Sequence, residues 1–133
     1  MADEDGGFEV RRVGERHWGL APGIDRKHLR RLQRDQVEID GEVDLHGLTA
    51  AEARPALREA IQEAYAEGMR CLLVIHGRGR GSPGDPVLRS ALAGWLTAPP
   101  TGRLVMAFAS AGTGDRGAGA TTVLLRRRRA GQA

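Results

Sequence analysis

The sequence predicts a mixed α/β domain, and three observations carry that prediction. Two stretches of helical periodicity alternate with short apolar runs of strand character. Glycine-rich loops follow two of those runs, where strands hand over to helices or turns. The 133 residues suffice for one ordinary domain but not for two with full cores. The expected order is β-α-β-α-β-β, a two-layer sandwich with a four-stranded mixed sheet and an N-terminal extension. Its first three strands run parallel and its last two pair antiparallel.

Residues 1–24 are glycine-rich and weakly patterned, so they read as a mobile or loosely docked arm. Asp25 can cap a short helix over residues 26–34, with Leu29 and Leu32 on one face and basic residues on the other. That helix either packs its leucines on the domain or grips a nucleic-acid backbone. Residues 37–45 look extended, with a bulge or turn at Asp40-Gly41. Thr49 and Glu52 form a capping box, and Ala53, Leu57, Ile61, Ala64 and Tyr65 then recur at helical spacing. Gly68 ends this helix, and Pro55 is a local cost within it. Residues 71–76 are continuously apolar up to His76, as a buried parallel strand would be. After the glycine loop, Asp85-Pro86 reads as the start of a second helix whose face is Leu88, Ala91, Leu92, Trp95 and Leu96. Pro99-Pro100 stop it. Along residues 103–109, Leu104, Met106 and Phe108 alternate with Val105, Ala107 and Ala109; a second glycine loop then leads to a last strand over residues 121–125.

Composition excludes several classes. A single cysteine, Cys71, rules out a disulfide framework and a cysteine-rich zinc site. No apolar stretch approaches the roughly 20 residues that span a bilayer, and the acidic start argues against a secretory signal. A cytoplasmic protein without a membrane partner is expected. Charge is unevenly shared: residues 1–68 carry a net −5, residues 69–133 a net +8. The basic residues are nearly all arginine, whose planar fork matches phosphate oxygens. Base-composition bias accounts for arginine over lysine, but not for the asymmetry between halves.

Ligands of open α/β sheets bind beyond the carboxyl ends of parallel strands, and three features meet at that edge. Asp44 and His46 sit two apart at the end of the first predicted core strand, so they project to one face. A carboxylate orients an imidazole and favours its charged form, which suits general acid–base chemistry near neutral pH. His76 ends the neighbouring strand and should lie close to His46. Two imidazoles and a carboxylate could also hold a metal ion, and the spacing does not decide between these roles. The third feature is the loop Gly77-Arg78-Gly79-Arg80-Gly81, whose glycines let backbone N–H groups approach an anion while Arg78 and Arg80 add charge. It lacks the ending of a Walker A loop and the spacing of a dinucleotide fingerprint. Ser82 has no nucleophile-elbow motif around it.

These residues closely resemble the Smr (small MutS-related) domain. The resemblance rests on Asp44-Leu45-His46-Gly47, on His76-Gly77-Arg78-Gly79 about thirty residues later, and on a glycine turn running into Thr121 and Val123-Leu124-Leu125. It extends over residues 42–127, and Arg30-Arg31-Leu32 resembles the stretch before the first motif in stand-alone bacterial members. It divides the chain into an arm (1–36), an Smr-like domain (37–129) and a tail (130–133). It implies a fold similar to the C-terminal domain of bacterial translation initiation factor three. It further implies nuclease activity on DNA or RNA, in some bacterial members on messenger RNA of stalled ribosomes. Asp44 and His46 match the motif linked to cleavage; His76, Gly77 and Gly79 match the loop linked to substrate binding or catalysis. The final turn departs from the family pattern, with Arg116-Gly117 where paired glycines are usual and Ala118 next.

The expected protein is an endonuclease with Asp44, His46 and His76 as catalytic residues, and Gly77, Arg78, Gly79, Arg80 and Gly81 against phosphate. Its partners are RNA or DNA and the ribosome. No cofactor is required for RNA, whereas a DNA substrate calls for Mg2+ or Mn2+. The alternatives are a module that binds nucleic acid or the ribosome without cutting, and a small-molecule enzyme with a phosphorylated substrate.

Overall fold

The structure, a computed structural model, describes residues 6–77, 85–112 and 119–128, with the side chains of residues 85 and 86 excepted. One six-stranded sheet organises it. In chain order the elements are β1 (Glu9–Val13), β2 (Arg16–Leu20), α1 (Arg26–Gln33), β3 (Gly41–Asp44), α2 (Ala50–Ala66), β4 (Cys71–Ile75), α3 (Asp85–Thr97), β5 (Val105–Ser110) and β6 (Ala120–Leu125). Across the sheet the order is β1-β2-β5-β6-β4-β3.

The expected mixed α/β class and the β-α-β-α-β-β order of the core are present, but the sheet has six strands rather than four. The additional two come from the segment read as an arm. Residues 9–20 fold into a hairpin whose two-residue turn, Gly14-Glu15, has Gly14 at φ +61, the left-handed backbone a type II′ turn needs at its first central position. β2 then pairs antiparallel with β5, Gly19 opposite Phe108. A methyl group on Gly19 would come within 2.3 Å of the Phe108 ring, so glycine is what lets that ring cross beneath the strand. Arg12 reaches the Ser90 carbonyl on α3, and Arg26 pairs with Glu9 at 2.6 Å, tying the hairpin to two helices.

α2 and α3 cover one face of the sheet. Leu57, Ile61, Leu88, Leu92 and Leu96 are essentially inaccessible there, packed on Leu45, Val74, Phe108, Val123 and Leu125. α1 covers part of the other face, where Leu29 and Leu32 bury against Ala107, Ala109, Leu124 and Cys71. The two-layer expectation therefore gains a partial third layer. Of the two readings of this helix, packing is what the leucines do, while Arg30 and Arg31 remain exposed. Asp25 caps α1 by accepting from the Lys27 N–H at 2.8 Å.

The capping box of α2 forms as the sequence indicates, with Thr49 accepting from the Glu52 N–H and Glu52 accepting from the Thr49 N–H. The extended segment expected over residues 37–45 contracts to β3, because Asp40 turns its carboxylate onto the chain. Its Oδ2 accepts the N–H groups of Arg70 and Cys71 at 2.9 and 3.0 Å, and pins the start of β4 beside the start of β3. Burial and the nearby Asp40 carboxylate push the Cys71 thiol up to about 11, which leaves it inert.

β3, β4 and β5 share one direction as expected, but β6 lies between β4 and β5 and pairs antiparallel with both. Among the described residues, only β3 and β4 form a parallel pair. The regular alternation expected in β5 is broken by a bulge between Val105 and Ala107. The extra residue turns Val105 to the same core as Phe108, while Met106, Ala107 and Ala109 face α1.

Candidate active site

The parallel pair β3–β4 brings the two sequence motifs side by side. Asp44 is opposite Ile75, and the Leu45 N–H donates to the Ile75 carbonyl at 2.7 Å. Each strand runs out of the sheet just before its histidine, so His46 and His76 leave adjacent strand ends.

Their surroundings then diverge. Leu45 turns into the α2/α3 core, and Asp44 and His46 stay in solvent, with side chains 52% and 62% exposed. A single oxygen, Asp44 Oδ1, accepts from both the His46 backbone N–H at 3.1 Å and the ring Nδ1–H at 2.6 Å. These two bonds, the ring's first, hold the Asp44 carboxyl below its ordinary range. The carboxylate fixes the proton at Nδ1, so in the neutral ring the lone pair sits on Nε2. That is the arrangement of an oriented general base.

His76 is only 1% exposed. Its Nδ1–H donates to the Gly77 carbonyl at 3.0 Å, and its Nε2 lies 3.1 Å from the Thr121 hydroxyl. Gly77 takes φ +83, and its N–H and that of His76 both donate to the Gly119 carbonyl, so two glycine segments are stitched together at this edge. The expectation of an open cluster of two imidazoles meets a different geometry: one imidazole faces solvent, and the other is built into the foundation of the loop. Arg78, Gly79, Arg80 and Gly81 lie outside the described residues, as do Ser82, Arg116, Gly117 and Ala118; the capping reading of Asp85-Pro86 falls on side chains likewise outside them. Among the described residues, no three His, Cys, Asp or Glu side chains are grouped to hold a metal ion.

Sequence reasoning missed two residues here. Thr121 is fully buried with its hydroxyl also 2.8 Å from Nε2 of His17, and His17 is 5% exposed on β2. His17 lay in a segment read as an arm. The signal that could have found it was the Gly14-Glu15 turn ahead of the strand-forming His17-Trp18.

Fold and site together define a small α/β domain whose parallel strands present an aspartate–histidine pair next to a histidine-rooted glycine loop. The chain belongs to the Smr domain family, whose model matches residues 43–126. Ribosome rescue factor SmrB of Shewanella oneidensis is 34% identical over 95 residues, 71% of this chain and 49% of the relative. Endonuclease MutS2 of Thermus thermophilus is 41% identical over 85 residues, 64% of this chain and 10% of the relative. The chain thus spans about half the length of that SmrB and a tenth of that MutS2. Among solved structures, YdaL, a stand-alone small MutS-related protein from Escherichia coli, superposes with a TM-score of 0.68 at 30% identity, covering 83% of this chain and 82% of that one. The Smr domain of Thermus thermophilus MutS2 superposes with a TM-score of 0.54 at 41% identity, covering 65% and 98%. No helix among the described residues is long and apolar enough to cross a membrane.

Proposed function

We propose that this chain is an endonuclease that cuts RNA by metal-independent acid–base chemistry at Asp44 and His46. The observation that carries the proposal is the 2.6 Å contact between Asp44 Oδ1 and His46 Nδ1 on an exposed strand end. Two relatives point the same way: one is named an endonuclease and the other a ribosome rescue factor. In this reading, His46 Nε2 removes the proton of a ribose 2′-hydroxyl. The oxygen attacks the adjacent phosphorus, the bond to the 5′-oxygen breaks, that oxygen takes a proton from solvent as it leaves, and His46 later releases its own proton to solvent. The products carry a 2′,3′-cyclic phosphate and a 5′-hydroxyl. Gly77, Arg78, Gly79, Arg80 and Gly81 cradle the phosphate, and His76 roots that loop from behind. RNA held on a stalled ribosome is the substrate setting this reading favours.

The test is cleavage of labelled single-stranded RNA, with single-stranded and branched DNA alongside, by the wild-type chain and by the double variant Asp44→Ala/His46→Ala. Each is run with divalent metal and with chelator. RNA cleavage that survives chelator and disappears in the variant is expected. Cleavage abolished by chelator would refute the route through the 2′-hydroxyl. Binding without cleavage by both proteins, with and without ribosomes, would favour the binding-module reading, which the basic second half of the chain also suits.

A further inference from the structure

The hairpin outside the family-matched region delivers a histidine to the site from behind. His17 Nε2 and His76 Nε2 both approach the hydroxyl of Thr121, at 2.8 and 3.1 Å. All three residues are buried, where polar groups are held by hydrogen bonds. His17 is itself fixed at the backbone: its N–H donates to Ser110 Oγ at 2.9 Å, and the Ser110 hydroxyl donates back to the His17 carbonyl at 3.3 Å. Its ring lies edge-on to Phe108, 5.4 Å between centroids.

The proton positions follow from the partners. The Gly77 carbonyl can only accept, so neutral His76 carries its proton on Nδ1 and offers a lone pair at Nε2. The Thr121 hydroxyl must then donate its one proton to His76. Its oxygen is left as an acceptor, and His17 Nε2–H fills it. The chain of donation runs in one direction, from His17 through Thr121 and His76 to Gly77, the first residue of the glycine loop. Burial first, then the positive charge that His76 carries when it is protonated and the guanidiniums of Arg12, Arg89 and Arg16, hold His17 down to about 4. A neutral ring with one proton to give is what the chain requires.

We infer that His17 is a positioning residue of the candidate site: by holding the Thr121 hydroxyl toward His76 it reinforces the tautomer that the Gly77 carbonyl selects, and with it the root of the glycine loop. The inference rests on the proposed nuclease for its catalytic consequence. Its physical core is independent of that reading. Without His17 the Thr121 oxygen loses the side-chain donor it has among the described residues, its hydroxyl can turn away from His76 Nε2, and the preference for a proton on Nδ1 that the Gly77 carbonyl sets is weakened.

The experiment uses the full chain and reads imidazole proton–nitrogen correlations at neutral pH, the Gly77 amide shift, and RNA cleavage. Wild type should show His76 protonated at Nδ1 and His17 at Nε2. His17→Phe and Thr121→Val should give a mixed His76 tautomer, a displaced Gly77 amide and a fall in kcat of about tenfold to a hundredfold with KM little changed. His17→Gln, which keeps a donor near the Nε2 position, should restore all three. Thr121→Val replaces the hydroxyl with a methyl group of similar shape and covers the case in which His17→Phe does not fold. The inference is overturned if wild-type His76 is protonated at Nε2, if both variants keep its tautomer, or if the tautomer shifts while Gly77 and kcat do not. Tautomer and Gly77 shifts as described, in a wild type that cuts no nucleic acid, would uphold the positioning and reject the nuclease.

Discussion

One oxygen of Asp44 accepts from His46 at two points, so the backbone N–H holds the carboxylate in place and the imidazole cannot swing away without breaking its bond to it. This makes Asp44→Asn an informative substitution. The amide oxygen can still accept from the ring, but the negative charge that steadies a protonated imidazole is gone. Cleavage should fall by about 10²–10⁴ with RNA binding retained, measured by single-turnover kinetics alongside a binding titration. His17 makes a different prediction, about stability. Its pKa drops from 6.5 unfolded to about 4 folded, so between those values the unfolded chain binds the extra proton. Stability contributed by the neutral buried ring is complete above pH 6.5 and is lost as pH falls toward 4, by up to about 3 kcal/mol. Urea unfolding at stepped pH should therefore show a flatter dependence in His17→Gln than in wild type. Equal slopes would mean that the ring is not held neutral.

At the scale of elements, the local signals were legible and the long-range ones were not. The capping box of Thr49 and Glu52, the Asp25 cap and the Gly68 stop act within a few residues, and each marks a helix end in the structure. Asp44, His46 and His76 stand out in the sequence because ligands of open sheets bind beyond strand ends, and the structure places them at or just past the adjacent ends of β3 and β4. The β1–β2 hairpin was hidden because β1 is mostly exposed and arginine-laden, which erases the alternation a half-buried strand shows. The seating of His17 depends on Phe108 and Thr121, about a hundred residues away in sequence, so no window of sequence contains it. Gly19→Ala tests how tightly that hairpin is keyed. The added methyl meets the Phe108 ring, and a loss of about 1–3 kcal/mol in urea unfolding is expected. Thr49→Ala, which removes only a cap, should cost about 1 kcal/mol.

For the whole molecule, charge and topology set the behaviour. The basic residues of the second half, Arg126, Arg127 and Arg128 among them, continue from β6 beyond the sheet. Nucleic-acid affinity should fall linearly with salt on logarithmic axes, with a slope that shrinks when Arg127 and Arg128 are replaced by Gln. Topology reaches further. β6 is the seam between β4–β3 on one side and β5–β2–β1 on the other, and it is the last strand in sequence. During synthesis, both half-sheets emerge before the strand that joins them. Until Leu125 is free to pair, each half exposes an open edge, and Thr121 is not there to receive either histidine. The six-stranded sheet therefore closes only after β6 has left the ribosome, and a product broken off before residue 120 is left with two half-sheets that nothing joins.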